Sequence, residues 1–65
     1  MSKFKTGDIV RIVNDTRGYT ENFTGQESEV TKAINGICYL RVTYKNGYKT
    51  SVPGFNDDNL ELVKA

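Results

Sequence analysis

Few residues of this 65-residue chain could carry covalent or metal chemistry. The chain has no His, which is the commonest general base and metal ligand, and a single cysteine, Cys38. One Cys cannot build a zinc site of the Cys/His type within one chain, and as a nucleophile it would lack its usual His partner. Because Cys38 falls on the inward face of a predicted strand, we expect a buried, inert thiol. These observations predict a protein that is not an enzyme and that holds no metal or other cofactor.

Asp57 and Asp58 are the only adjacent carboxylates, and Asn56 and Asn59 flank them. A weak Ca²⁺ site is one reading of this cluster, but the twelve-residue calcium loop with its terminal bidentate Glu is absent. Asp and Asn are also ordinary turn residues, and a solvated turn before the last strand is the favoured interpretation. The glycines do not cluster as a phosphate-binding loop. The sequence therefore points to binding rather than to catalysis.

Basic residues interleaved with aromatic ones are the remaining candidates for function. Tyr and Arg are typical anchors of protein interfaces, whereas cations beside tyrosine rings also suit single-stranded nucleic acid. A solvated sheet face, in which the tyrosines serve as ordinary strand formers, is the third interpretation. The predicted protein-binding set is Arg17, Tyr19 and Phe23 from a long loop with Tyr48, Pro53 and Phe55 from the opposite hairpin. The nucleic-acid-binding alternative uses Arg11, Tyr39, Arg41, Lys45 and Lys49.

The net charge and the length of the chain indicate which class of partner is preferred. Nine basic and eight acidic residues give a formal net charge of +1 and a pI near 7.8, so no global field favours nucleic acid or an anionic membrane. A chain this short hides only roughly 60% of its unfolded surface and cannot also enclose a deep pocket for a small-molecule substrate. The preferred partner is therefore a larger protein complex, on which the chain docks as an accessory or regulatory subunit. Nucleic acid is the alternative.

The start of the chain and its lone cysteine predict its location. The sequence Met-Ser-Lys-Phe-Lys has no apolar core of a signal peptide, and no stretch is long enough for a transmembrane span. A single Cys excludes an intramolecular disulfide, on which small secreted domains usually depend. We therefore expect a cytoplasmic protein without membrane insertion. Its size and its Asn/Lys-rich turns fit a bacterial or phage protein.

Short strands separated by turn signals must position these residues, and they predict an all-β fold in one domain, residues 1–65. Asn35-Gly36 predicts a type I′ hairpin, and Lys45-Asn46-Gly47 a second turn of that type. Pro53 cannot donate to a ladder and is expected to close the fourth strand. A single 3₁₀ turn over residues 55–59 precedes the last strand. The predicted strands are residues 8–13, 27–33, 36–44, 48–53 and 60–63, and a long loop, 14–25, follows the first of them.

Alternation along the strands predicts the core. Val10 and Ile12 point inward, which leaves Ile9 and Val13 on the side of Arg11 and in need of cover. Along the third strand, one face is expected to lie in the core, and both leucines of the last strand are expected to join it. These further inward positions are Cys38, Leu40, Val42, Tyr44, Leu60 and Leu62.

Four segments resemble the SH3-like barrel over nearly the full length. They are residues 5–12 (KTGDIVRI), 24–30 (TGQESEV), 40–44 (LRVTY) and 57–63 (DDNLELV). Their order is most similar to the small accessory barrels of electron-transfer complexes, such as the SH3-like chain of photosystem I and the variable chain of ferredoxin–thioredoxin reductase, and more distantly to KOW-type barrels, whose second glycine is replaced here by Ser28. The resemblance implies a five-stranded antiparallel SH3-like barrel that docks on a larger protein. Because the chain has neither Trp nor an Ala-Leu-Tyr-Asp-Tyr segment, it does not imply recognition of Pro-rich peptides.

Overall fold

A computed structural model of the protein describes residues 3–19 and 22–65. Its five strands form one antiparallel sheet of order β4-β3-β2-β1-β5, with one 3₁₀ turn, Asp57–Asn59, before the last strand. The expected all-β fold with five antiparallel strands and that turn is confirmed. Hydrogen bonds do not close the sheet into a barrel, and β4 and β5 are its two edges. The strands are β1 (Ile9–Ile12), β2 (Glu27–Ile34), β3 (Ile37–Thr43), β4 (Lys49–Asn56) and β5 (Leu60–Lys64).

The core lies on one face of this sheet, as the alternation predicts. Val10 and Ile12 of β1 are buried, as are three residues of β3, and Tyr44 packs against the cluster from its rim. The inward position predicted for Leu62 is wrong, since that side chain is 50% exposed. Val13, which was expected to need cover, is 54% exposed. Leu62 pairs with Val10, but β5 is an edge strand and has no neighbour on its outer side to cover that side chain. The buried residues of β3 are Cys38, Leu40 and Val42.

The two hairpin turns differ from each other. Asn35 and Gly36 both take positive φ, 50° and 81°, as the predicted type I′ turn requires. At the second hairpin only Gly47 does so, with φ of 88°, and the expected type I′ turn is wrong there. Tyr44 N donates to Tyr48 O at 2.7 Å, and Gly47 N donates to Tyr44 O at 2.9 Å. The loop therefore has three residues, and this length favours a turn that ends on one left-handed glycine.

Pro53 does not end the fourth strand, contrary to expectation. Strand β4 runs on to Asn56, because the register against β3 shifts between the pairs Cys38–Phe55 and Leu40–Val52. Two residues of β4, Pro53 and Gly54, there face the single residue Tyr39. Pro53, which lacks an N–H, is tolerated in the bulge because a bulged residue is left out of the hydrogen-bonded ladder. The edge position of β4 helps, since no strand pairs with its outer side.

The long loop after β1 folds back on the sheet. At its base Gly25 N donates to Ile12 O at 2.6 Å, and the side chain of Gln26 exchanges two hydrogen bonds with the backbone of Thr43 on β3. Phe23 is buried in the core. The loop therefore covers the face of the sheet that the strands leave open. Within the described part of the chain, no helix has the length and apolar character needed to cross a membrane.

Candidate interaction surface

A buried ion pair fixes the first part of the long loop. The side chains of Asp15 and Arg17 are 2% and 7% exposed, and Arg17 Nε lies 2.8 Å from Asp15 Oδ1. A second guanidinium nitrogen donates to Asp15 Oδ2 at 2.9 Å, which makes the contact bidentate. Asp15 also accepts the backbone N–H groups of Arg17 and Phe23, at 3.1 Å each. All these bonds favour the charged carboxylate.

The charge states of the pair follow from this geometry. Hydrogen bonding to Arg17 outweighs the opposing effect of burial and lowers the pKa of Asp15 to about 2. The same bond raises the pKa of Arg17 above its ordinary value. A buried pair with its hydrogen bonds satisfied is costly to break, because removal of either partner leaves an uncompensated charge. We therefore infer that the ion pair of Asp15 with Arg17 stabilises the conformation of the loop.

The guanidinium of Arg17 stacks on three aromatic rings. Its central carbon lies 4.6 Å from the ring centre of Phe55, 5.1 Å from that of Tyr19 and 5.2 Å from that of Phe23. The aliphatic part of the side chain crosses β4 at Gly54, where a Cβ would approach Arg17 Cδ to 3.6 Å. Cation–π contacts of this kind gain strength when the cation is shielded from water. Arg17 therefore ties the loop to the edge strand β4.

The ring contacts continue to the far hairpin. Phe23 meets Tyr44 edge to face, with centroids 5.2 Å apart and planes at 89°, and Tyr44 lies 6.1 Å from Tyr48. Such edge-to-face pairs add roughly 0.5–1.5 kcal/mol beyond the area that they bury. A continuous series of contacts thus joins the loop to the β3–β4 turn. We call this series the aromatic row; its members are Tyr19, Arg17, Phe55, Phe23, Tyr44 and Tyr48.

The predicted protein-binding residues are largely brought together in the row, but not all of them are at the surface. Tyr19 and Tyr48 are 69% and 62% exposed, and Pro53 is also exposed on β4. Phe23 and Phe55, which were expected to touch a partner, are buried in the core instead. They sit under Arg17, so their rings support the surface rather than form it.

The residues of the nucleic-acid alternative lie elsewhere, mostly on the outer face of the sheet. Arg11 bonds Glu61 Oε1 at 2.7 Å and Glu27 Oε2 at 3.3 Å, across the pairings of β1 with β5 and with β2. Arg41 faces Glu29 across β2 and β3, with 3.9 Å between nitrogen and oxygen. These carboxylates compete with phosphate for both arginines. Exposed cross-strand pairs of this kind add little stability.

The other three residues of that alternative are less constrained by carboxylates. The ring of Tyr39 lies under Lys32, with 5.7 Å from Nζ to the ring centre. Lys45, within the β3–β4 turn, and Lys49, at the start of β4, are both exposed. Among residues 3–19 and 22–65, neither of these two lysines forms an ion pair. The turn thus has two lysines on which the described carboxylates place no constraint.

Cys38 and Asp57 form a buried contact that the sequence reading missed. The thiol donates to Asp57 Oδ1 at 3.0 Å, and the other carboxylate oxygen accepts Lys3 N at 2.7 Å. Burial and the adjacent carboxylate raise the pKa of Cys38 to about 12, which fits the inert thiol expected from the strand alternation. Asp57 is buried rather than part of a solvated turn. The alternation of β3 gave the position of Cys38, but no local signal marks a hydrogen bond between residues 19 positions apart.

Comparison with known proteins gives no assignment. The chain was compared with family models, curated proteins and solved structures. Separately, in the described segments no group of three or more His, Cys, Asp or Glu side chains could hold a metal ion. The chain matches no protein-family model, no curated protein and no solved structure.

Proposed function

We propose that the protein is a non-catalytic interaction module that docks on a larger protein as an accessory or regulatory subunit. The observation that carries this proposal is the pair of exposed tyrosines, Tyr19 and Tyr48, at the two ends of a row whose middle is fixed by buried contacts. A tyrosine ring supplies a large contact area and has few torsions to immobilise on binding. Such residues dominate the binding energy of protein interfaces.

The rigid support beneath the two rings favours binding. Arg17 holds Tyr19, and Tyr44 holds Tyr48, while both supports are packed on the core residue Phe23. Side chains that are already ordered lose less conformational entropy when a partner covers them. The aromatic row therefore has the properties of a binding surface that is ordered before the partner arrives. It is less typical of tyrosines that serve only as strand formers on a solvated face.

The size of the molecule is also suited to docking. Its accessible surface is 4258 Å², and a standard interface takes about 800 Å² from each partner. About a fifth of the whole surface would then be covered by one interface of ordinary size. We expect a cytoplasmic setting for this complex, on the grounds given by the sequence.

A small nucleic-acid-binding barrel of the SH3-like or KOW type is the alternative function. It has less support, because Arg11 and Arg41 already face Glu side chains. Binding of this kind must weaken steeply with salt, since each phosphate contact releases counterions.

The test is a pull-down from cells of the source organism with the tagged protein at moderate salt, with and without nuclease, in which the captured proteins are identified by mass spectrometry. We expect one protein in stoichiometric amount. The double variant Tyr19→Ala/Tyr48→Ala is expected to lose it, because it removes both exposed rings and leaves the core intact.

The matched control is Tyr39→Ala, which removes a tyrosine ring from the opposite face of β3 and should keep the partner. Urea unfolding of all three proteins checks that the fold survives. A partner that remains bound to the double variant would show that the aromatic row is the wrong surface. Loss of all captured material on nuclease treatment would support the nucleic-acid alternative instead.

A further inference from the structure

The acidic residues are unevenly distributed along the chain. Residues 30–56 contain no Asp or Glu, and they contain four basic residues, which gives this part a formal charge of +4. The remaining residues carry five basic and eight acidic side chains, so their formal charge is −3 and the two parts add to the net +1. The near-neutral total therefore hides a basic part and an acidic part. The four basic residues are Lys32, Arg41, Lys45 and Lys49.

In the folded protein, the acid-free residues and the strand carboxylates lie at different sides of the sheet. The acid-free part comprises all of β3 and β4, which lie together at one edge, and the second half of β2. The carboxylates of the strands lie on β5 and on the first half of β2, where Glu27 and Glu61 flank Arg11. The strands of the acid-free part therefore carry basic side chains only, and Glu29 faces Arg41 at its boundary. A charged surface of this kind steers oppositely charged ligands.

One end of the aromatic row lies on the basic side. Tyr48 belongs to the β3–β4 turn, with Lys45 within the turn and Lys49 at the start of β4. Both lysines are exposed, and Lys49 pairs with Thr43, which places it on the same strand pair as Tyr48. An exposed ring is thus flanked along the chain by two ammonium groups. One exposed ring and two cationic side chains therefore lie within a single five-residue segment, residues 45–49.

We infer that the segment recognised by this surface is acidic: a peptide segment of a partner protein in which Asp or Glu residues neighbour an apolar side chain. The apolar side chain packs on the ring of Tyr48, and the carboxylates meet Lys45 and Lys49. This inference rests on the proposed function and specifies its ligand. Charge complementarity of this kind increases the association rate and excludes basic partners.

The experiment is an immobilised array of short random peptides, probed with the labelled protein at low and at high salt. We expect the retained peptides to be enriched in Asp and Glu and depleted in Lys and Arg, and their binding to weaken as salt increases. For a retained peptide, Lys45→Glu/Lys49→Glu should raise the Kd by about tenfold or more, because it replaces attraction by repulsion.

The matched control is Lys5→Glu/Lys64→Glu, which changes the net charge by the same amount at exposed positions outside the acid-free part. It should retain the peptides with a Kd within about threefold of that of the unmodified protein, because screening limits the reach of surface charge. Equal weakening by the two double variants would contradict the inference, since only net charge would then matter.

Other outcomes separate this inference from the proposed function. If the retained peptides require Tyr19 and Tyr48 but show no acidic enrichment, the inference is wrong and the docking function stands. If no peptide is retained at all, the inference is wrong, and the docking function depends on the pull-down alone. If Tyr19→Ala/Tyr48→Ala retains the same peptides as the unmodified protein, the proposed surface is wrong as well. A single-stranded oligonucleotide that binds more tightly than any peptide would overturn the inference in favour of nucleic acid.

Discussion

At the scale of single residues, Asp15 and Arg17 do more to shape the surface than the exposed tyrosines do. Arg17 was expected to touch a partner, yet its charge is neutralised within the loop and its plane is covered by three rings. A planar guanidinium can make the bidentate contact and the stacking contacts at once, which an ammonium group cannot. The identity of this residue therefore controls the position of Tyr19.

The ion pair makes stability depend on pH in a defined direction. The pKa of Asp15 is about 2 in the folded protein and 3.8 in the unfolded chain. Since the folded value is the lower one, the stabilisation is fully present above pH 4 and is lost as the pH falls from about 4 to 2. The difference corresponds to about 2 kcal/mol in the free energy of unfolding. Urea unfolding at a series of pH values measures it.

The variant Arg17→Met isolates this contribution from that of the other carboxylates. At pH 6 it should lose about 3 kcal/mol, because Asp15 is left buried without its partner. Its stability should then approach that of the unmodified protein as the pH falls to 2. Arg17→Lys keeps the charge and provides a folded comparison if the Met variant does not fold. Parallel pH profiles for the Met variant and the unmodified protein would contradict this account.

At the scale of elements, periodicity and turn chemistry predicted most of the fold. The alternation of β1 and β3 placed Val10, Ile12 and Leu40 in the core, and Asn35-Gly36 gave the first hairpin. These are local signals, since each depends on residues a few positions apart. The continuation of β4 beyond Pro53 was missed, because a bulge depends on how the neighbouring strand pairs.

The candidate site was predicted in composition but not in arrangement. The residue types around positions 17–23 and 48–55 indicated an aromatic surface, whereas burial of Phe23 and Phe55 depends on the loop folding across the sheet. No local pattern encodes contacts between residues so far apart in the chain. The partnership of Asp15 with Arg17 is local in sequence, but its burial is not.

The first hairpin turn provides a test at this scale. Asn35 takes a positive φ of 50°, which Asn and Gly adopt readily and β-branched residues do not. We expect Asn35→Val to lower the free energy of unfolding by about 1–2 kcal/mol, because a β-branched residue is strained in the left-handed conformation. Asn35→Gly is the control and should stay within about 0.5 kcal/mol of the unmodified protein, as measured by urea unfolding. Equal losses in the two variants would show that the side chain of Asn35, rather than its backbone conformation, matters.

At the scale of the whole molecule, the long loop and the sheet share one core. Phe23 of the loop is buried with Val30, Leu40 and Phe55 of three strands, so the loop cannot detach without exposing apolar surface. A domain of this size is expected to unfold in a single cooperative step. The recognition surface and the fold should therefore have the same stability.

This coupling can be measured with two probes. Tyrosine fluorescence reports mainly on the aromatic row, which contains three of the four tyrosines, and far-ultraviolet circular dichroism reports on the strands. We expect their urea transitions to have the same midpoint, because both depend on the shared core. An earlier transition by fluorescence would mean that the loop unfolds separately, and in that case the row would not be held in place before binding.

The bulge in β4 bears on how many copies of the chain can associate. Strand edges offer unpaired backbone groups to other chains, and a bulge with a proline is one of the means by which proteins prevent such pairing. Pro53 and Gly54 interrupt β4 in this way, and Arg17 lies across it, while at the other edge the pairing of β5 with β1 shifts between Leu62 and Lys64 and leaves Val63 without a partner residue. Both edges of the sheet are therefore interrupted, and this opposes the backbone pairing of one copy with the next.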